Sequence, residues 1–183
     1  MTVSTATIAG QVLTSAYVNN NINSGLVYVS ESTFTSDSPL ITGVFTADYE
    51  NYVAVLRCFS STTGQYTNCQ LINASTPKTT NYSRAGLVST TGGTLAADSG
   101  ATSQDGWRIA GQSTSGIYAT INFYRPFTTA ETGYKTEASY SGNYYALGGI
   151  QTESYSATGF KILASGNAAV YTGTVRIYGY RQA

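Results

Sequence analysis

The sequence contains no histidine. That removes the commonest general base and the commonest metal ligand. Ser-His-acid and Cys-His nucleophiles are excluded, and so are His-based zinc and iron sites. Two cysteines are too few for a structural zinc site. Charge is scarce as well. Lys plus Arg number 9 and Asp plus Glu number 9, only 10 % of 183 residues and net zero, against about 25 % in an ordinary domain. A duplex-binding protein needs clustered cations, so no nucleic-acid partner is expected. A weakly charged, neutral surface makes self-association easy. No apolar run reaches 18 residues, so no membrane span is expected. The first cationic side chain is Arg57, which leaves no charged n-region for a secretory signal. Synthesis in a cytoplasm without a cleaved signal is the expectation.

What survives of catalytic chemistry is a carboxylate pair. The nine acids are Glu31, Asp37, Asp48, Glu50, Asp98, Asp105, Glu131, Glu137 and Glu153. Most adjoin turn residues, where solvated carboxylates belong. Gly92-Gly93 lacks the lysine of a phosphate loop. Asp48, Glu50 and Asn51 could offer oxygens to calcium, but their spacing is not that of an EF-hand. A polar strand start is the favoured reading there, and Asp98 and Asp105 have the same status. The chain is therefore expected not to be an enzyme and to carry no cofactor and no metal.

The residues that are present favour sheets. Tyr (16 residues), Thr and Val fit a pleated, half-buried surface. Apolar and aromatic residues make up 42 %, so disorder is not expected. Turn signals separate candidate strands at Leu26 to Ser30, Ile41 to Thr46, Tyr52 to Ser60, Tyr66 to Asn73, Tyr82 to Ser89 and Trp107 to Ala110. Further strands are expected at Ile117 to Arg125, Tyr134 to Tyr140, Tyr144 to Glu153, Gly159 to Ala164 and Ala169 to Tyr180. Ile117 to Arg125 has the cleanest alternation: Ile117, Ala119, Ile121 and Phe123 face one way, Tyr118, Thr120, Asn122 and Tyr124 the other. Many short strands at this spacing predict an all-β sandwich or jelly roll over residues 26–183. Residues 1–25 read as an arm, with Thr14 capping a short helix over Ser15 to Asn23. Thr90 to Gly106 reads as a long loop, a length that in compact domains is usually functional or ordered by a partner.

Cys58 and Cys69 flank a Thr63-Gly64 turn signal. Counted symmetrically from that turn, Cys58 falls opposite Cys69 and Leu56 opposite Leu71, which predicts a hairpin with one apolar face. Two readings stay open there: a cross-strand disulfide, or two reduced thiols acting as small apolar side chains, favoured in a cytosol-made protein. Tyr140, Tyr144, Tyr145 and Tyr155 cluster in sequence. Tyrosine gives a large contact area with a polar tip. Half-buried strand positions, a subunit interface and stacking on glycan rings all use it, and these alternatives remain open.

Three stretches together carry a resemblance. They are Gly10-Gln11-Val12-Leu13-Thr14-Ser15-Ala16-Tyr17-Val18-Asn19, then Tyr49-Glu50-Asn51-Tyr52-Val53-Ala54-Val55-Leu56 with Cys69-Gln70-Leu71-Ile72, and the closing Gly173-Thr174-Val175-Arg176-Ile177-Tyr178-Gly179-Tyr180-Arg181. In this order they resemble small virion structural proteins of tailed bacteriophages, a group of head-decoration, tail-appendage and fibre-tip proteins. The resemblance implies a jelly-roll-like antiparallel β-sandwich with a short N-terminal arm, usually a homotrimer fixed to the particle by its N-terminal part. It places Val12, Leu13, Ala16 and Tyr17 in the arm that contacts the virion or a neighbouring subunit. It transfers no catalytic residue. A short arm without a shaft fits a capsid decoration (cement) protein, whose partners are its own copies and the major capsid protein or another virion protein. A tail-associated knob that contacts a host surface glycan is the alternative.

Overall fold

A computed structural model describes residues 25–166 and 168–181, apart from the side chains at 99, 101–104 and 181. Residues 1–24 lie outside it, and with them Val12, Leu13, Ala16, Tyr17 and the expected arm helix. Thirteen strands follow in order: β1 (Leu26–Ser36), β2 (Leu40–Ile41), β3 (Tyr49–Ser60), β4 (Tyr66–Asn73), β5 (Thr76–Pro77), β6 (Tyr82–Ser89), β7 (Leu95–Gln104), β8 (Trp107–Gly111), β9 (Ile117–Tyr124), β10 (Thr132–Tyr140), β11 (Asn143–Gln151), β12 (Gly159–Ser165) and β13 (Tyr171–Arg181). The described chain is all-β, and every pairing is antiparallel.

The strands form two sheets. The larger runs β1-β13-β3-β9-β10-β11-β6-β7, and the smaller runs β2-β12-β4-β5 with β8 on β4. The pairings nest: β1 with β13, β2 with β12, β3 with β9 and β4 with β8. Alternate nested pairs fall in opposite sheets. That is the path of a long antiparallel ribbon rolled into a jelly roll. Two insertions, β5 to β7 and β10 to β11, lie outside the ribbon. Four of their strands extend the larger sheet beyond β9.

The alternation of β9 is realised: Ile117, Ala119, Ile121 and Phe123 are buried, and Tyr118, Thr120 and Tyr124 are exposed. The core between the sheets is aromatic at its centre. Trp107 from β8 stacks on Tyr134 of β10 at 4.6 Å and meets Tyr82 of β6 edge-on at 5.0 Å. Phe45, Phe123 and Phe160 pack beside them. Fully burying each such ring contributes about 2–3 kcal/mol. The tyrosine tips are tied down, Tyr134 by donating to the Arg108 carbonyl at 3.3 Å, whereas the buried Trp107 Nε1–H finds no hydrogen-bond partner among the described residues. The Tyr82 hydroxyl donates to the Lys78 carbonyl and accepts from the Leu71 amide, both at 2.9 Å.

Three expectations are corrected here. The stretch from Thr90 to Gly106 is not a single loop: Leu95–Gln104 is an edge strand on β6, with Leu87 opposite Ala97 and Ser89 opposite Leu95. Its Ala, Ser and Gly residues carry little strand propensity, so the pairing comes from the neighbouring strand. The strand expected over Ile41 to Thr46 stops at Ile41, and the chain turns at Gly43, where φ is +67°. Third, β3 and β4 are not a hairpin. They lie in opposite sheets, with Cys58 opposite Ile117 and Gly173, and Cys69 opposite Ile162 and Trp107. The turn signal is real, but the chain there crosses from one sheet to the other.

Candidate functional site

The larger sheet buries one face on the smaller sheet, and among the described residues no element covers the other. The register sets rows across that outer face. One row runs Glu31, Arg176, Val55, Thr120, Glu137, Ala146, Leu87 and Ala97. The next runs Thr33, Thr174, Arg57, Tyr118, Ser139, Tyr144, Ser89 and Leu95 along the same pairings. Val55, Phe59, Leu87, Leu95, Tyr118, Tyr124, Tyr144, Ile150 and Tyr180 are all 38–64 % exposed on this face. Tyr28 of β1 adds 56 % exposure beside Tyr178. Soluble monomers seldom gather so many large apolar groups on one face.

A shallow groove of about 490 Å³ crosses the middle of this face. Val55, Thr120, Tyr118 and Tyr144 line it, with Arg57, Arg176 and Glu137 at its sides. Arg176 pairs with Glu31 and Glu137 with Lys135, both at 2.7 Å. The Arg57 guanidinium lies over the Tyr118 ring at 5.8 Å.

The second concavity, about 390 Å³, lies at one end of the sandwich. Thr63, Gly64, Gln65 and Tyr66 line it from the chain that crosses between the sheets. Gln112 follows β8, Tyr140 ends β10, Ser141 lies in the turn after it, and Tyr145 is in β11. The two tyrosine hydroxyls are 3.3 Å apart and the ring centroids 5.5 Å apart. The Tyr140 ring lies against the β8 backbone at Gly111, where any Cβ would overlap the phenol. Gln112 accepts from the Thr62 hydroxyl at 3.3 Å and donates to the Tyr171 hydroxyl at 3.4 Å. Burial and the paired Tyr140 hydroxyl push the Tyr145 phenol well above its ordinary range, so it stays neutral.

The Tyr66 ring is itself held from behind. The Arg108 guanidinium stacks on it, 3.3 Å from the centroid. Arg108 donates to the Asp98 carboxylate, which also accepts from Arg84 at 3.2 Å. The three side chains are 15 %, 6 % and 8 % exposed, in the order Arg108, Asp98, Arg84. On sequence Asp98 reads as a polar loop carboxylate or a calcium oxygen; its burial between two arginines corrects that reading, and the arginines, Tyr66 and Gln112 were not singled out. The sequence carried no signal for the triad: Leu95, Ala96 and Ala97 are all exposed, so no apolar alternation along this stretch marks Asp98 as inward-facing.

The four clustered tyrosines therefore separate. Tyr140 and Tyr145 meet at the end concavity. Tyr144, their chain neighbour, points the other way into the outer groove. Tyr155 sits apart and donates to the Thr76 carbonyl at 2.8 Å. Cys58 and Cys69 are free, buried thiols in one core cluster. Burial pushes the Cys58 thiol up to about 12 and raises Cys69 as well, so neither is a ready nucleophile.

The acids are dispersed. Glu153 binds Lys78 and Asn81, Glu50 faces Arg125 at 3.8 Å, and Asp48 accepts from Thr46 at 2.9 Å. The Asn51 side-chain oxygen accepts from the Arg125 amide. Among the described residues no three His, Cys, Asp or Glu side chains come together as a metal site. Among those same residues no helix is long and apolar enough to cross a membrane.

No protein-family model matches the chain, and no curated protein matches it.

Proposed function

We propose that this chain is a non-enzymatic structural protein of a tailed-phage particle, and that it acts in the virion as a capsid decoration (cement) protein. It works by burying surface rather than by chemistry. The carrying observation is the open outer face of the larger sheet, with its rows of exposed Tyr, Val, Leu, Ile and Phe. Eight strands at about 4.8 Å make that face about 38 Å across. Strand runs of eight residues make it about 26 Å long. The resulting footprint, roughly 1,000 Å², exceeds the ~800 Å² per partner of a standard stable interface. The partners are its own copies, as a homotrimer, and the shell. A protein that binds only the assembled shell stabilises it by mass action.

The test uses the full chain. Light scattering at tens of micromolar is expected to give a trimer. Val55→Asp combined with Tyr124→Asp is expected to give a monomer with an unchanged β-sheet spectrum. Particles lacking the protein are expected to burst at lower temperature. A monomeric wild type, or an assembly indifferent to the two aspartates, overturns the outer face as the docking surface.

A second reading is a tail-associated knob that contacts a host surface glycan. The end concavity favours it, because its tyrosines and amides lie away from the outer face.

A further inference from the structure

We infer that the concavity formed by Tyr66, Tyr140 and Tyr145 is a binding site for a neutral sugar. The inference rests on the glycan-contact reading and is independent of what covers the outer sheet face.

The chemistry of the lining selects the ligand class. Thr63, Gly64, Gln65, Tyr66, Gln112, Tyr140, Ser141 and Tyr145 include no cation and no carboxylate. An anionic ligand would lose its hydration there with no cation to touch, because Arg108 is taken up by Asp98 and the Tyr66 ring, and a cation would find no carboxylate. A wholly apolar ligand would cover the exposed Gln65 amide and Thr63 hydroxyl without replacing their water. A neutral polyol matches both halves of the surface. Its C–H faces pack on phenol rings, and its hydroxyls exchange hydrogen bonds with amides and phenols. The Tyr140–Tyr145 pair is suited to this. One hydroxyl donates to the other, which leaves one phenolic proton and several lone pairs for a ligand.

The walls are fixed before any ligand arrives. Tyr66 is clamped by the Arg108 guanidinium, and Arg108 is held in turn by Asp98. Tyr140 is seated on Gly111, and the Gln112 amide is tied to Thr62 and Tyr171. Side chains ordered in advance lose little entropy on binding. The volume, about 390 Å³, lies within the range of small-molecule sites.

The experiment is ligand-observed saturation-transfer NMR on the full chain. The probes are glucose, galactose, mannose, N-acetylglucosamine and rhamnose, with glucuronate and galacturonate as charged counterparts. At least one neutral sugar is expected to receive saturation, and its uronate to receive several-fold less. Tyr140→Phe keeps the ring and removes one hydroxyl. It is expected to weaken binding about tenfold, the loss expected for a hydrogen bond left unmade at a buried partner. Gln65→Ala, at an exposed position, is expected to weaken binding without touching the core. Tyr144→Ala, in the outer groove, is expected to leave it unchanged. Silence from all five neutral sugars overturns the inference, whatever the oligomeric state by light scattering. Equal binding of the uronates, or loss in Tyr144→Ala without loss in Tyr140→Phe, overturns it too. In the last case the glycan reading survives at the outer groove and the site assigned here does not.

Discussion

At the scale of single residues, the least expected feature is a carboxylate shared by two buried arginines. Asp98 is 6 % exposed, with Arg84 and Arg108 on either side. Two cations and one anion leave the cluster one positive charge in excess, and Arg108 lies over the Tyr66 ring, whose quadrupole attracts it. Desolvation makes such a cluster weak as a source of net stability, but removing one partner is costly because the others stay buried. Asp98→Asn is expected to destabilise the fold by about 3–5 kcal/mol in urea denaturation. Arg125→Gln breaks only an exposed 3.8 Å pair and is expected to cost less than about 1 kcal/mol. A loss at Asp98 no larger than that at Arg125 would show that water reaches the triad.

At the scale of elements, β13 is the spine of the larger sheet, paired with β1 on one side and β3 on the other. Gly173 lies on it opposite Cys58, where a Cβ would overlap the Arg57 carbonyl oxygen and the Cys58 side chain. Gly173→Ala is expected to lower stability by about 1–3 kcal/mol, the usual cost of overpacking. Gly92→Ala, where a Cβ meets nothing, is expected to stay within about 0.5 kcal/mol. Comparing the two denaturation midpoints checks the close approach. The strands themselves were largely legible, because alternation such as that from Ile117 to Phe123 records which face is buried. Pairing was less so. The pattern Leu56, Cys58, Cys69, Leu71 reads the same for a two-strand hairpin as for strands that face each other across a sandwich, since both orientations hide the same side chains. β7 was illegible for a different reason: Ala96, Ala97, Ser99 and Gly100 fill an edge position that the register of β6 defines. The tyrosines were visible as a cluster, but the pleat sends Tyr144 and Tyr145 to opposite faces. The end concavity also needs Tyr66 and Gln112, brought in by strands that cross the molecule.

At the scale of the whole molecule, the pH dependence follows from what is buried and what is missing. With no histidine, no ordinary side chain titrates between pH 5 and 8. The groups the fold perturbs lie outside that window. Burial raises Cys58 to about 12 and also raises Cys69, Tyr52, Tyr82, Tyr134, Tyr145, Tyr155 and Tyr171. Below the ordinary thiol and phenol values of 9.0 and 10.0, folded and unfolded chains both hold these protons, and the stability is complete. Above them the unfolded chain releases protons that the folded chain keeps. The unfolded state is then favoured, by about 1.4 kcal/mol per pH unit for each group in that interval. On the acid side, Lys78 and Asn81 hold the Glu153 carboxyl below its ordinary value. Its contribution is present above the usual carboxylate range and fades as pH falls. Glu153 is exposed, so the fading is slight. Urea midpoints are therefore expected to stay flat from about pH 6 to 8.5 and to fall steeply above about pH 9, as several buried phenols and thiols add their slopes. A step between pH 6 and 8 would require a titrating group that the composition does not contain. Unchanged stability at about pH 10.5 would mean that the thiols and phenols are not held neutral in the core, and the tight packing around Trp107 and Tyr82 would be wrong with it.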